Sequence, residues 1–485
     1  MKKPLFFAAL VIACLALLAA PALASAATFT IHPNGHNDTH NIQKAFDAAV
    51  KAGPGSTVQL GAGHFYTNNI VVHDFNGTFR GAGEHKTVID CLRGLYPSGT
   101  YPDGRPVPGV TPLVLSGFTY WPVLLAFDGG HVSVSAMSFD ITAASPAVSS
   151  GFGDAGDALG NIVLVTGNVA SSSFDHVSIT AGRGDDSGYN ADEGLHIGGT
   201  GPENPDGSFS AFWSTRGTES VSHCFISAQD GAHLGGLIDG STMTLTDNVI
   251  KARFFSLLIS DFSDSTLTVC HNQISCSAGE NVMLWQGFQA AMNNGNASLL
   301  VPRPAPHYLI SDNRMLATGT AGGLWVEDDS WLYKSRNRLN ATITDNTIAL
   351  DNGGWDAGVD GFYAQGIRVL HNRISGTGLA AIDVGADSYF GMTPALTCGW
   401  QIIGNDVSGV IPLSQADGGP GAEIWLGEDA ANCLVVGGCK PTTVLDQGTK
   451  DILINVTKLT DPTTPAATPM NSLKQFKQLK GMMRP

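Results

Sequence analysis

Thr246-Asp247-Asn248-Val249-Ile250 and Cys270-His271-Asn272-Gln273-Ile274 share one frame, apolar-x-[Asp/His/Gly]-Asn-x-[Ile/Val/Met]. It returns at Ser311-Asp312-Asn313-Arg314-Met315, Thr344-Asp345-Asn346-Thr347-Ile348, Leu370-His371-Asn372-Arg373-Ile374 and Ile403-Gly404-Asn405-Asp406-Val407. Successive Asn residues are 24, 41, 33, 26 and 33 positions apart, which describes a unit of 24 carrying insertions of varied length. A unit of two or three short strands cannot bury its own apolar face. It has to stack on its neighbours, one coil about 4.8 Å from the next.

Asn suits such a stack because its amide both donates and accepts, so the same turn in successive coils can be linked up and down. The six copies resemble the asparagine ladder of right-handed parallel β-helix proteins, and that resemblance implies an all-β solenoid. Val249, Ile274, Ile348 and Ile374 are expected to point into the coil.

The entry segment agrees. A strand at Thr28-Ile31 is followed by Asn37-Asp38-Thr39 and then by Ile42, Ala45, Phe46, Ala49 and Val50 at helical spacing. Asp38 or Thr39 can cap this helix, and Gly53-Pro54 ends it. Next come Ser56-Thr57-Val58-Gln59-Leu60, the turn Gly61-Ala62-Gly63, Ile70-Val71-Val72, Arg80-Gly81-Ala82-Gly83 and Thr87-Val88-Ile89-Asp90. This order over residues 30 to 90 resembles the start of the pectate-lyase-like superfamily, in which a helix covers the open end of the coil. Physics asks for such a cover, because a bare end exposes strand edges and core.

Bulk composition sets limits. The 485 residues are 43% hydrophobic and 14% charged, enough apolar material for a large core and unlike a disordered chain. The formal charge of −16 excludes nucleic acid as the partner, since that binding rests on Lys and Arg. The same acidity requires bridging cations or local basic residues before a polyanionic sugar can bind, whereas a neutral glycan meets no such barrier.

Residues 1–26 combine Lys2-Lys3, an apolar run from Leu5 to Ala20 and the small-residue endings Ala22-Leu23-Ala24 or Ala24-Ser25-Ala26. That is the pattern of a signal peptide, so a secreted protein (periplasmic, extracellular or at the cell surface) is expected. Residues 27–460 are assigned to a single β-helix domain. Residues 461–485 are a Pro/Thr linker and a basic tail, whose Leu473, Phe476 and Leu479 suit a short covering helix. A monomer without membrane contact is expected. Cys270 and Cys276, and likewise Cys433 and Cys439, are spaced either for disulfides or for small buried core residues.

Strands after the Asn turns locate the candidate binding face: Leu195-His196-Ile197, Ala232-His233-Leu234, Leu257-Leu258-Ile259, Met283-Leu284-Trp285, Leu324-Trp325-Val326, Ile382-Asp383-Val384 and Ile424-Trp425-Leu426. Alternation sends the flanking residues inward and the middle one outward. The outward column is then His196, His233, Leu258, Leu284, Trp325, Asp383 and Trp425. An acidic border follows, with Asp239, Asp261, Asp264, Glu327, Asp328, Asp329, Asp387, Glu428 and Asp429.

Indole faces stack on sugar rings, carboxylates bond hydroxyls or hold Ca²⁺, and His or carboxyl groups move protons. His196, His233, Glu327 and Asp329 are therefore the catalytic candidates, and Trp325, Asp383, Trp425 and Asp261 the candidates for substrate contact. The metal ligands stay unassigned, with Ca²⁺ the cofactor such a border can take. Of the four motifs of polygalacturonase-like hydrolases only Asp185-Asp186 has a counterpart, and the Asp-Pro-His-Asp of mannuronan epimerases is missing. Two classes of function remain open: a polysaccharide lyase or hydrolase, and a non-catalytic β-helix that binds glycan or builds the cell surface. A carboxylate cluster converging beside Trp325 within one or two coils separates them.

Overall fold

A computed structural model describes residues 26–67, 70–91, 113–115, 118–120, 123–141, 159–181, 191–198, 217–236, 240–260, 262, 264–286, 305–328, 339–351, 356–385, 397–414, 419–438, 440 and 442–459. The chain is a right-handed parallel β-helix. The strand Thr242–Thr246 pairs in parallel with Thr266–Cys270, and Val249–Ala252 with Gln273–Cys276, each 24 residues on. Phe255–Ser260 pairs with Glu280–Gln286 in the same sense. Each coil thus has three strands, and each strand joins the equivalent strand of the coils before and after it. Right-handed winding is the sense that twisted parallel strands favour. The strands of the outward column are the third in each coil; the sequence had suggested that they directly follow the Asn turn, but a short second strand intervenes.

Alternation along each strand sorts the side chains. Leu245, Val269, Ile310, Ile343 and Val369 stack inward from the first strands, and Leu257, Val282, Leu324, Val359 and Ile382 from the third. All ten lie in one continuous core. From the second strands Ile250, Ile274, Ile348 and Ile374 are buried there, but Val249 is not. The Asn amide itself points inward, so the inward partner is two residues on, at Ile250, and Val249 stands beside Gln273 on the other face.

The residue before each Asn explains the [Asp/His/Gly] in the frame. Asp247, His271, Asp312, Asp345, His371 and Gly404 all have φ between 54° and 67°, the left-handed region that Gly enters freely and that Asp and His tolerate better than most residues. That residue turns the corner and aims the following amide into the coil. Asn248 Nδ2 donates to Asn272 Oδ1 at 2.9 Å, and the chain of bonds continues through Asn313, Asn346, Asn372 and Asn405 at 2.9–3.0 Å. Each Oδ1 also accepts the backbone N–H of the preceding Asn, as between Asn313 N and Asn346 Oδ1 at 3.0 Å. The ladder stops where the next position in register is glycine, at Gly438.

The helix Thr39–Ala52 covers the first coil with Ile42, Ala45, Phe46 and Ala49, while Val50 is exposed, one position off the buried stripe. Phe46 packs against Phe75, Phe79 and Phe127 at 4.9–5.8 Å between ring centroids. Asp38 precedes the helix but bonds the amides of Asn34 and Tyr66 instead of capping it, so its carboxylate ties helix to coil. Cys270 and Cys276 are both free thiols, with Cys276 buried. Cys439 and the basic tail lie outside the described residues. Among the described residues no helix is long and apolar enough to cross a membrane.

A carboxyl side chain also stands at an inward position. Glu219 lies in register between Ser172 and Met243 and is fully buried. Its carboxyl accepts bonds from the amide of Ser172, at 2.5 Å, and from that residue's hydroxyl. Burial, only partly offset by those bonds, pushes its pKa up to about 8.

Candidate functional site

The register of the third strands gives the outward column directly. In consecutive coils it runs His196, His233, Leu258, Met283, Trp325, Asp360, Asp383 and Trp425. Two positions differ from the alternation expected from sequence. Met283 takes the place of Leu284, which pairs with Ile259 and Val326 in the core. The strand Glu280–Gln286 is buried on both faces, so apolar identity could not tell its sides apart. Asp360 adds a coil that the sequence reading omitted, because its inward neighbour is Gly361 and not a large apolar residue. A Cβ on Gly361 would lie 2.2 Å from the Trp400 ring, which fills that part of the core.

Carboxyl groups converge beside Trp325. Asp360 is its partner in register, and Asp383 follows in the next coil. The Asp356 side chain hydrogen-bonds to both Asp360 and Glu280. Glu280 comes from two coils away and reaches them across Gly322, where a Cβ would stand 2.2 Å from Glu280 Oε2. The missing side chain is the opening through which the carboxyl passes.

Burial dominates the electrostatics. Glu280 is pushed well above the usual carboxylate range by burial and then by the nearby charges of Asp356 and Asp360. Asp360 is raised in the same way by burial, Asp356 and Asp383. Asp356 is also raised by burial, but its bonds to Asp360 and Glu280 act in the opposite sense. Two carboxyl groups can hydrogen-bond only if one carries a proton. The two bonds therefore hold two protons among three carboxyl groups, an arrangement that can both give and take protons.

Trp325 is half-buried, its Nε1 donating to Glu327 Oε2 at 3.1 Å and its ring 4.6 Å from that of Phe362. Trp425 is also half-buried and bonds Gln447 Oε1 at 2.8 Å. The structure therefore gathers Trp325, Asp383 and Trp425 on one face, with Glu327 orienting the first indole. Asp328 is buried and accepts the Leu339 amide at 2.9 Å. Asp261 and Asp329, like Asp239, Asp387 and Asp185-Asp186, lie outside the described residues.

His196 and His233 are neighbours in register, and Glu193 joins them. Glu193 Oε2 meets His196 Nδ1 at 2.6 Å and Oε1 meets His233 Nδ1 at 3.1 Å, while His233 Nε2 meets Ser260 Oγ at 3.0 Å. Four coil steps, about 19 Å, separate His233 from Asp360. The histidines and the carboxyl cluster are two separate places on the face. Glu280 and Asp356 were missed from sequence because they sit at strand entries, Glu280 behind a glycine of the next coil, where no spacing rule brings them together. Glu193 was visible only as an acid close to His196 in the chain.

No family model matches the chain, and no curated protein matches it in sequence. Solved structures are similar to it in fold. The A-module of the Azotobacter vinelandii mannuronan C-5 epimerase AlgE4 is 12% identical, with 90% of this chain and 98% of that chain covered and a TM-score of 0.44. The polygalacturonase of Erwinia carotovora ssp. carotovora is 11% identical, with 91% and 98% covered and a TM-score of 0.43. The Streptococcus pneumoniae surface protein and adhesin PfbA is 10% identical, with 90% and 100% covered and a TM-score of 0.41. A fold by itself does not fix a function, which has to be argued from the site.

Proposed function

We propose that this parallel β-helix is a secreted glycoside hydrolase that cleaves a neutral polysaccharide laid along the third-strand face. The observation that carries the reading is the cluster Glu280, Asp356 and Asp360, with Asp383 adjacent and the Asp360–Asp383 pair between two half-exposed tryptophans. Glycoside hydrolysis needs one carboxylic acid to protonate the leaving oxygen and one carboxylate to act as base or nucleophile. Here Asp360 supplies the acid and Asp383, its partner in register one coil step of about 4.8 Å on, the carboxylate, a spacing close to that of a retaining pair. Trp325 and Trp425 are three coil steps apart, about 14 Å, and offer stacking surfaces on either side of the Asp360–Asp383 pair. A lyase would instead need a positive charge against a uronate, and the acidity of the chain disfavours that substrate.

The test is a panel of neutral and acidic polysaccharides, read by reducing ends for hydrolysis and by ultraviolet absorbance for unsaturated lyase products. Reducing ends from a neutral glycan are expected, with turnover lowered about 10²-fold or more in Asp360→Asn and Glu280→Gln. Trp325→Ala should bind several-fold more weakly while staying folded, since stacking contributes on the order of 1 kcal/mol. Undiminished turnover in Asp360→Asn would remove the assignment.

One observation favours a second reading. Glu280, Asp360 and Asp383 are only 3–5% exposed, as expected of a protonated network that braces the face while the tryptophans bind sugar without chemistry. Glycan binding by the parent with no product in either assay would support that role.

A further inference from the structure

We propose that Glu193, His196 and His233 form a binding site for a divalent transition-metal ion of the zinc type, separate from the carboxyl cluster. One donor atom from each of the three lies within 4.8 Å of the other two. The two histidines are held by parallel pairing of their strands, and Glu193 is on the strand that carries His196. The donors already stand at 2.6 and 3.1 Å through the hydrogen bonds of Glu193 to the two Nδ1 atoms. Donors of a tetrahedral zinc centre are about 3.3 Å apart, from metal–ligand bonds of about 2.0–2.1 Å. Replacing the shared protons by an ion asks these two contacts to open by about 0.7 and 0.2 Å, with the two histidine donors starting within 4.8 Å of each other.

Three features point to a ligand beyond the protein groups. The His196 ring is 3% exposed, and its Nε2 has no hydrogen-bond partner, an arrangement that is costly unless something else binds there. The far nitrogen of His233 is held by Ser260 Oγ, the outer contact that fixes the ring of a metal-binding histidine. The third feature is the donor set itself: the one Glu193 carboxyl meets both imidazoles, each through its own oxygen. Two imidazoles and one carboxylate select zinc, nickel, cobalt or ferrous iron over Ca²⁺, which prefers oxygen. A second trio, Asp175, His176 and His223, likewise offers one carboxylate and two imidazoles but is exposed, and it serves as an internal control.

The experiment is titration of the chelator-treated full chain with Zn²⁺ by calorimetry, with Co²⁺ as a spectroscopic probe. One tightly held Zn²⁺ per chain, a Co²⁺ visible spectrum of a low-coordinate nitrogen–oxygen site, and no competition by Ca²⁺ are expected. Glu193→Gln, which keeps the shape of the side chain, and His233→Ala should weaken Zn²⁺ by at least about tenfold, while His223→Ala leaves it unchanged. Absence of Zn²⁺ uptake by the folded parent would overturn the proposal. So would loss of uptake in His223→Ala with Glu193→Gln unaffected, which places the ion on the exposed trio. Because the site is about 19 Å from Asp360, neither result depends on whether the carboxyl cluster cleaves glycans.

Discussion

Asn346 occupies the middle of the ladder, 1% exposed, accepting from Asn313 through Oδ1 and donating to Asn372 Oδ1 and the Ile310 carbonyl. Asn346→Ala leaves partners on both sides unpaired inside the coil and should cost about 1–3 kcal/mol in denaturant unfolding. An unchanged midpoint would show that the ladder bonds add nothing there. Glu219 yields a pH effect with a defined sign. Its folded pKa of about 8 lies above the ordinary 4.5, so the folded state favours the proton. The stability this gives is complete below pH 4.5 and is lost as pH rises towards 8. Glu219→Gln mimics the protonated form, so its thermal midpoint should gain on the parent's as pH rises through that window. A pH-independent difference between the two would contradict the buried-acid reading.

At the scale of elements, the helix Thr39–Ala52 has one large anchor in the coil. Phe46 is fully buried against three phenylalanine rings, and Phe46→Ala should cost about 3–5 kcal/mol. Contacts in a solenoid run only between neighbours, so the loss should be local. Hydrogen exchange is expected to quicken in the helix and first coil and to stay unchanged around Asn346; uniform quickening would mean that the coils open as one unit. The strand pair carrying Glu280 and Gly322 makes a sharper case. In Gly322→Ala the new methyl group occupies the path of the Glu280 carboxyl, so the variant should fold but lose turnover if the cluster is catalytic.

Across the whole molecule, the formal charge of −16 bears on which sugar approaches the face. Binding of a neutral glycan should change little between low and high ionic strength. A uronate polymer would bind better as salt screens the repulsion, over a Debye length of about 10 Å at 0.1 M. Affinity that climbs steeply with salt would overturn the neutral-substrate part of the proposal. The chain is quasi-one-dimensional, so the carboxyl cluster and the histidine trio can be altered independently.

Sequence alone determined the repeat, the ladder and the entry helix, because each rests on short-range rules: a left-handed residue before an inward amide, strand alternation, and helical spacing ended by a glycine. It placed Trp325, Asp383, Trp425, His196 and His233 on one face for the same reason. Tertiary structure decided which polar groups meet. Glu280 and Asp356 are 76 positions apart in the chain and come together because coil pairing brings their strands close and Gly322 leaves the gap between them. No periodicity records such an encounter. The side of Met283 against Leu284, and of Val249 against Ile250, was likewise settled by register, since both members of each pair are apolar and hydrophobicity cannot say which one turns inward.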